Sequence, residues 1–121
     1  MNDFARRIRP HVDAELARAD DLLARGDAAS AFRHLERAHV LGQASTREHL
    51  RVHWRMLLWG VQRRAPREIA GQITRILGAA TKTFAGWVPA GNTGGAGVSP
   101  LRPMPVPEDL AALIASARDR A

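Results

Sequence analysis

The stretch 27–64, DAASAFRHLERAHVLGQASTREHLRVHWRMLLWGVQRR, contains two helical patterns joined by a short polar turn. Asp27 is a suitable N-cap for the first helix, which should end at Gly42. Ser45 and Glu48 form an S-x-x-E capping box before a second helix that should extend to the end of the stretch. Because so short a turn makes the two helices run antiparallel, the stretch predicts a helical hairpin.

Two more helices are predicted, one on each side of this hairpin. The first should run from near Pro10 to Arg25, after a short helical turn at 4–8, because Pro suits a first turn and Gly26 supplies a stop. The other should start at Pro66. The apolar residues predicted to face the core from the last two helices are Leu50, Trp54, Leu57 and Val61, followed by Ile69, Ile73, Ile76 and Leu77.

After Trp87 the composition becomes rich in Gly and Pro, which predicts an extended loop over 87–106. A short terminal helix should follow at 107–119. We expect one domain, 1–121, with its helical bundle in 1–86. The predicted fold class is all-α: antiparallel helical hairpins in a tetratricopeptide-like bundle, with a Gly/Pro-rich C-terminal loop and a short terminal helix.

Composition narrows the classes of function. The chain has no cysteine, which excludes disulfides, thiolate metal sites and cysteine nucleophiles. The net charge of +6 is spread along the chain and not gathered in one block, so a nucleic-acid partner is not favoured. No apolar run approaches the roughly 20 residues that span a bilayer, and the N-terminus lacks the apolar core of a secretory signal. We therefore expect a cytoplasmic protein with no membrane partner.

Four of the five histidines lie in the quoted hairpin, and three of them are placed to converge. His39 falls in the apolar stripe of its helix and should face the interior, with Glu36 one turn earlier on the same side. His49 and His53 are four residues apart and point the same way from the start of the next helix. Since antiparallel helices place the end of one beside the start of the other, His39 should lie near His49 and His53.

A fourth helical position adds a carboxylate to this set. Glu15 lies on the apolar side of the first predicted helix, where an unpaired carboxylate is costly, so a charged partner is expected. Together these residues predict a divalent transition-metal site, with Zn, Fe, Ni, Cu and Mn not distinguished. The predicted ligands are His39, His49 and His53 with either Glu36 or Glu15. The alternative is that His49 and His53 are exposed and that Glu36 only pairs with Arg33 or Arg37.

Four motifs, HLERAHVLGQ, HLRVHWRML, GNTGGAGVS and PMPVPEDL, together resemble a family of small uncharacterised bacterial proteins, a domain of unknown function. The resemblance covers nearly the entire chain and implies a compact helical protein with a His-rich hairpin and a Gly-Pro tail. It also implies a link to metal homeostasis, because such proteins are often encoded near heavy-metal efflux and metal-responsive regulator genes. It implies no established activity. The family's hallmark positions map to Glu15, Glu36, His39, Gln43, His49, His53 and Asn92.

Three functions follow as hypotheses. The first is binding of a divalent transition metal by a carrier, buffer or sensor. The second is a metal-dependent enzyme, of the hydrolase or non-haem oxygenase type, whose ligands leave a position open for water or oxygen. The third is a tetratricopeptide-like adaptor with structural histidines that binds a protein partner or a second copy of the chain. Four protein ligands favour the first hypothesis, and three favour the second.

Overall fold

The structure is a computed structural model that describes residues 2–82, 94–95 and 103–118, and every regular element in these ranges is a helix. The helices are α1 (Asp3–Ala24), α2 (Ala28–Gly42), α3 (Thr46–Gln62), α4 (Pro66–Lys82) and α5 (Glu108–Arg118). α1 packs mainly on α2 and α3 mainly on α4, while α5 rests on the first pair. The predicted all-α class is confirmed. Within these ranges no helix is both long and apolar enough to cross a membrane.

α1 starts at Asp3, so the predicted start near Pro10 was wrong. The side chain of Asn2 caps the helix by accepting a hydrogen bond from the backbone N–H of Ala5 at 2.7 Å. Pro10 therefore lies inside the helix, where its missing N–H and its ring cost about 3 kcal/mol. Complete burial of Ile8 contributes about 2–3 kcal/mol. Packing of the first two turns of α1 thus offsets the cost of placing proline inside the helix.

The turn between α1 and α2 is closed by Gly26, as predicted. Gly26 has a φ of +82°, a conformation that L side chains rarely adopt. Its N–H donates to the carbonyl of Leu23 at 3.0 Å, and the N–H of Asp27 donates to the carbonyl of Leu22 at 2.9 Å. These two bonds form a Schellman motif. Asp27 then caps α2 by accepting a hydrogen bond from the N–H of Ser30 at 3.0 Å.

The corner between α2 and α3 is tight. A Cβ added to Gly42 would lie 2.9 Å from the Cβ of Glu48, so only glycine lets the end of α2 approach the start of α3 this closely. Ser45 caps α3 by accepting from the N–H of Glu48 at 3.5 Å, which is one half of the predicted capping box. The Glu48 carboxylate does not supply the other half, since the backbone N–H of Ser45 donates to the carbonyl of Gly42 at 2.9 Å, while Glu48 is buried and forms an ion pair with Arg51.

α3 and α4 do not bury the apolar faces that the sequence predicts. Trp54 and Val61 on α3 are 54% and 53% exposed, and Ile73 and Leu77 on α4 are 47% and 71% exposed. α3 instead buries a neighbouring face that includes two histidines. Its buried residues are Glu48, His49, Val52, His53, Met56 and Gly60.

α5 is held against the first helical pair by apolar and polar contacts. Leu110 and Ala117 are buried in the core. The guanidinium Nε of Arg7 on α1 donates to the carbonyl of Ala117 at 2.6 Å. Arg37 on α2 reaches two helices at once, because it pairs with Glu15 of α1 at 2.9 Å and with Asp109 of α5.

Arg37→Met should lower the free energy of unfolding by about 1–3 kcal/mol, because it removes the arginine partner of a mostly buried carboxylate. Arg33→Met is the matched control, since Arg33 lies exposed on the same helix, and we expect a change below about 0.5 kcal/mol there. Urea denaturation followed by circular dichroism measures both values. Equal losses in the two variants would contradict a bridging role for Arg37.

Candidate metal centre

Three histidines converge where the end of α2 meets the start of α3. His39 comes from the last turn of α2, and His49 and His53 come from the first two turns of α3. Their Nε2 atoms are separated by 2.9 Å (His39 to His49), 3.1 Å (His39 to His53) and 3.0 Å (His49 to His53). All three side chains are buried. The three nitrogens therefore form an almost equilateral triangle inside the protein.

The triangle has the dimensions of a metal-binding face. Each imidazole offers one nitrogen to the group, and an ion about 2.1 Å from all three would lie about 1.2 Å from their plane. At this distance tetrahedral coordination places such nitrogens about 3.4 Å apart, and one face of an octahedron places them about 3.0 Å apart. The separations of 2.9–3.1 Å fit the octahedral face and come within a few tenths of an ångström of the tetrahedral one.

Burial keeps the imidazoles of His49 and His53 neutral, which is the form that binds a metal. Burial lowers the pKa of His49 from 6.5 to about 3, and repulsion from His53 lowers it further. Burial also lowers the pKa of His53 to about 4; the hydrogen bond with Gln72 opposes this shift, and the nearby charge of Arg75 adds to it. At neutral pH neither imidazole carries a second proton, so each ring keeps one nitrogen lone pair for a ligand.

Gln72 of α4 supports the cluster from the outside. It is fully buried, and its Oε1 atom accepts a hydrogen bond from Nδ1 of His53 at 2.6 Å. Its Nε2 atom donates to Oε1 of Glu68 at 3.0 Å and to the backbone carbonyl of Gly94 at 2.9 Å. Metal-ligating histidines are commonly oriented by such an acceptor on the second ring nitrogen.

Gly94 and Gly95 lie against the same end of the bundle. A Cβ on Gly94 would come within 2.5 Å of the ring of His39, and the φ of Gly94 is +82°, so a larger residue would both strain the backbone and displace the imidazole. Gly95 is less constrained, since its Cβ would lie 3.4 Å from the ring of Phe32. The GNTGGAG segment thus reaches the site at these two residues; the rest of that segment, with Asn92, lies outside the described residues.

The predicted carboxylate ligands are not part of the converging group. The carboxylate of Glu15 accepts hydrogen bonds from His34 at 2.6 Å and from Arg37 at 2.9 Å, so the expected charged partner of Glu15 is an arginine. Within the described part of the chain, the group of potential ligands consists of the three histidines and includes neither Glu15 nor Glu36. Ligation by either carboxylate stays a prediction of the sequence.

The residues that sequence reasoning missed are on α4. Glu68, Gln72 and Arg75 are spaced i, i+4 and i+7, so they share one side of the helix. The spacing of these three polar residues can be read from the sequence beside the isoleucine pattern, and it is the feature that could have indicated a second inward face of α4. Hydrophobicity alone predicts that the isoleucines face inward. In the structure the polar side faces inward, because Gln72 hydrogen-bonds the buried His53.

The sequence matches a protein family over residues 6–114, a family described as protein of unknown function (DUF3703). The chain belongs to this family. The match confirms the resemblance to a domain of unknown function. No curated protein and no solved structure matches the chain. Functional inference therefore depends on the chemistry of the histidine cluster.

The metal-free protein should lose stability as the pH falls from about 6.5 towards 4. The pKa values of His49 and His53 in the folded state, about 3 and about 4, lie below the ordinary 6.5. The unfolded chain therefore binds more protons in this interval, and the free energy of unfolding decreases with decreasing pH. Each histidine contributes a slope of up to about 1.4 kcal/mol per pH unit.

Urea titrations with a chelator present, at a series of pH values, measure this slope. His49→Gln removes one of the two titrating groups and should reduce the slope by up to the contribution of one histidine. Identical slopes for the wild type and the variant would show that His49 does not titrate in this way.

Proposed function

We propose that the protein binds one divalent transition-metal ion through the Nε2 atoms of His39, His49 and His53, and that it acts as a carrier, buffer or sensor of that metal. The observation that supports this most strongly is the convergence of the same nitrogen from three buried rings. In the tautomers that leave the lone pairs on Nε2, nitrogens held about 3 Å apart repel one another, and a cation between them converts the repulsion into attraction. Surface histidines of a structural protein have no need of this arrangement.

The donor atoms indicate the class of metal. Imidazole nitrogen suits Zn, Cu, Fe and Ni, whereas carboxylate, carbonyl and water oxygens suit Mg, Ca and Mn. A site of three imidazoles therefore favours the first group. Affinity within that group follows the general order in which Cu(II) binds more tightly than Ni(II) or Zn(II), so metal availability decides which ion occupies the site.

Burial of the ligands links metal binding to folding. Because the unfolded chain does not hold the three rings together, an ion that binds the folded protein stabilises it by mass action. At a free metal concentration 100 times the dissociation constant, this stabilisation is about 2.7 kcal/mol. A carrier, buffer or sensor would show this coupling as a metal-dependent rise in melting temperature.

Metal analysis of protein purified without a His-tag tests the proposal. We expect about one zinc or nickel ion per wild-type chain after equilibrium dialysis, with a raised melting temperature. His39→Ala, His49→Ala and His53→Ala should each weaken binding by more than about 100-fold, because losing a ligand is costlier than losing an outer hydrogen bond. His11→Ala is the control, since His11 lies outside the converging group.

Circular dichroism establishes that each variant is folded before its affinity is compared. The proposal fails if the wild type and a triple alanine variant carry the same sub-stoichiometric metal. It also fails if added metal raises the melting temperatures of both proteins equally.

A metal-dependent enzyme is the second candidate, and the number of converging ligands favours it. Catalytic zinc sites commonly have three protein ligands and keep a further position for water. Histidine ligates a metal as the neutral imidazole, so three histidines do not compensate the charge of a divalent ion, and an ion held by them attracts hydroxide or another small anion. Such a centre would activate bound water for hydrolysis or bind oxygen at a redox-active ion.

The cobalt(II)-loaded protein distinguishes an open position from a closed shell. Addition of azide should shift its visible absorption in a saturable manner if an exchangeable position exists, and metal analysis before and after verifies that cobalt stays bound. An unchanged spectrum at high azide concentration would rule against the enzyme and would leave the carrier, buffer or sensor function standing.

A further inference from the structure

We propose that Gln72 is a positioning residue for metal binding: it holds His53 in the tautomer whose Nε2 lone pair faces the metal. This inference rests on the proposed binding of a metal through His53. It assigns to α4 a part in a site whose ligands all come from α2 and α3.

The orientation of the Gln72 amide is set by what surrounds its nitrogen. The nitrogen lies 3.0 Å from Oε1 of Glu68 and 2.9 Å from the carbonyl oxygen of Gly94. A carboxylate oxygen and a backbone carbonyl oxygen can only accept, so the amide NH₂ group must occupy this end. The opposite orientation would place the amide oxygen against two other oxygens.

The tautomer of His53 follows from that orientation. With the NH₂ group committed to Glu68 and Gly94, the atom of Gln72 that lies 2.6 Å from Nδ1 of His53 is Oε1, which accepts and cannot donate. The proton of a neutral His53 is therefore on Nδ1, and Nε2 keeps its lone pair. That lone pair points into the triangle formed with His39 and His49.

Burial makes the arrangement selective. Gln72 has no exposed surface, and a buried amide with an unmet hydrogen bond costs about 1–3 kcal/mol in mutational data. The other tautomer, with the proton on Nε2, would leave Oε1 of Gln72 without a donor and place its lone pair 2.6 Å from the bare Nδ1 of His53. The network of Glu68, Gln72 and Gly94 therefore stabilises one tautomer against the other.

A purely structural role is the competing explanation, since Gln72 also links α4 to the backbone at Gly94. Two substitutions separate the roles. Gln72→Met keeps the length of the side chain and removes the acceptor for His53 and the donor for Gly94. Gln72→Glu keeps the acceptor for His53, removes the donor, and places a carboxylate oxygen near Gly94 and Glu68.

The first measurement is NMR of the histidine ring nitrogens in metal-free, ¹⁵N-labelled protein at neutral pH. In the wild type and in Gln72→Glu, His53 should be protonated at Nδ1. In Gln72→Met it should populate both tautomers. Thermal melts should show lower stability in both variants. A loss of stability therefore cannot by itself explain a difference in the His53 tautomer between them.

The second measurement is zinc affinity by competition with a chromogenic chelator. Gln72→Met should bind zinc about 10–100-fold more weakly than the wild type, the usual loss when the outer partner of a ligating histidine is removed. Gln72→Glu should bind more tightly than Gln72→Met, because a carboxylate also accepts the Nδ1 proton. Gln62→Met is the matched control, an exposed glutamine near the end of α3, and should change neither readout.

Retention of the Nδ1 tautomer in Gln72→Met would overturn the proposal, and so would an affinity within about threefold of the wild type. If Gln72→Met fails to fold, Gln72→Glu decides, because loss of the Nδ1 proton in that variant contradicts the inferred role. If the wild type binds no zinc or other transition metal, the proposed function fails. The tautomer measurement on metal-free protein still tests the role of Gln72 separately.

Discussion

The convergence of three buried imidazole Nε2 atoms about 3 Å apart is the constraint around which this end of the bundle is arranged. The backbone brings the rings together: the close approach at Gly42 places the end of α2 beside the start of α3, and the four-residue spacing of His49 and His53 aims both rings at His39. Burial then lowers the pKa values of His49 and His53, so neither of these rings is positively charged at neutral pH.

The same constraint explains the unusual polarity of α4. A cluster of buried imidazoles needs hydrogen-bond partners around it, and apolar side chains offer none. Glu68, Gln72 and Arg75 therefore lie on the side of α4 near the cluster, while Ile73 and Leu77 are left exposed. Departures from apolar patterning of this kind are expected where function competes with core packing.

The difference between the predicted and the observed inward face of α3 shows how much of the site can be predicted from helical periodicity. Helical spacing and the antiparallel hairpin were enough to bring His39, His49 and His53 together, and the Gly26 turn followed from residue type alone. The face of α3 was not predictable from hydrophobicity, because Trp54 outranks histidine on any such scale although histidine is the buried residue. Glu15 was correctly expected to have a charged partner, but the charge comes from Arg37, which helical phase alone could not select.

Gln72 joins two parts of the structure that are distant in sequence, and this makes the site a single unit. Its amide nitrogen bonds the carbonyl of Gly94, its oxygen bonds His53, and the backbone of Gly94 lies against the ring of His39. Displacing Gly94 would therefore remove an acceptor from Gln72 and the contact that orients His39 in the same step. Two of the three rings depend on this backbone position, one by direct packing and one through a single amide. Preorganisation of the triangle is consequently a property of α2, α3, α4 and Gly94 together, and not of the histidine hairpin alone.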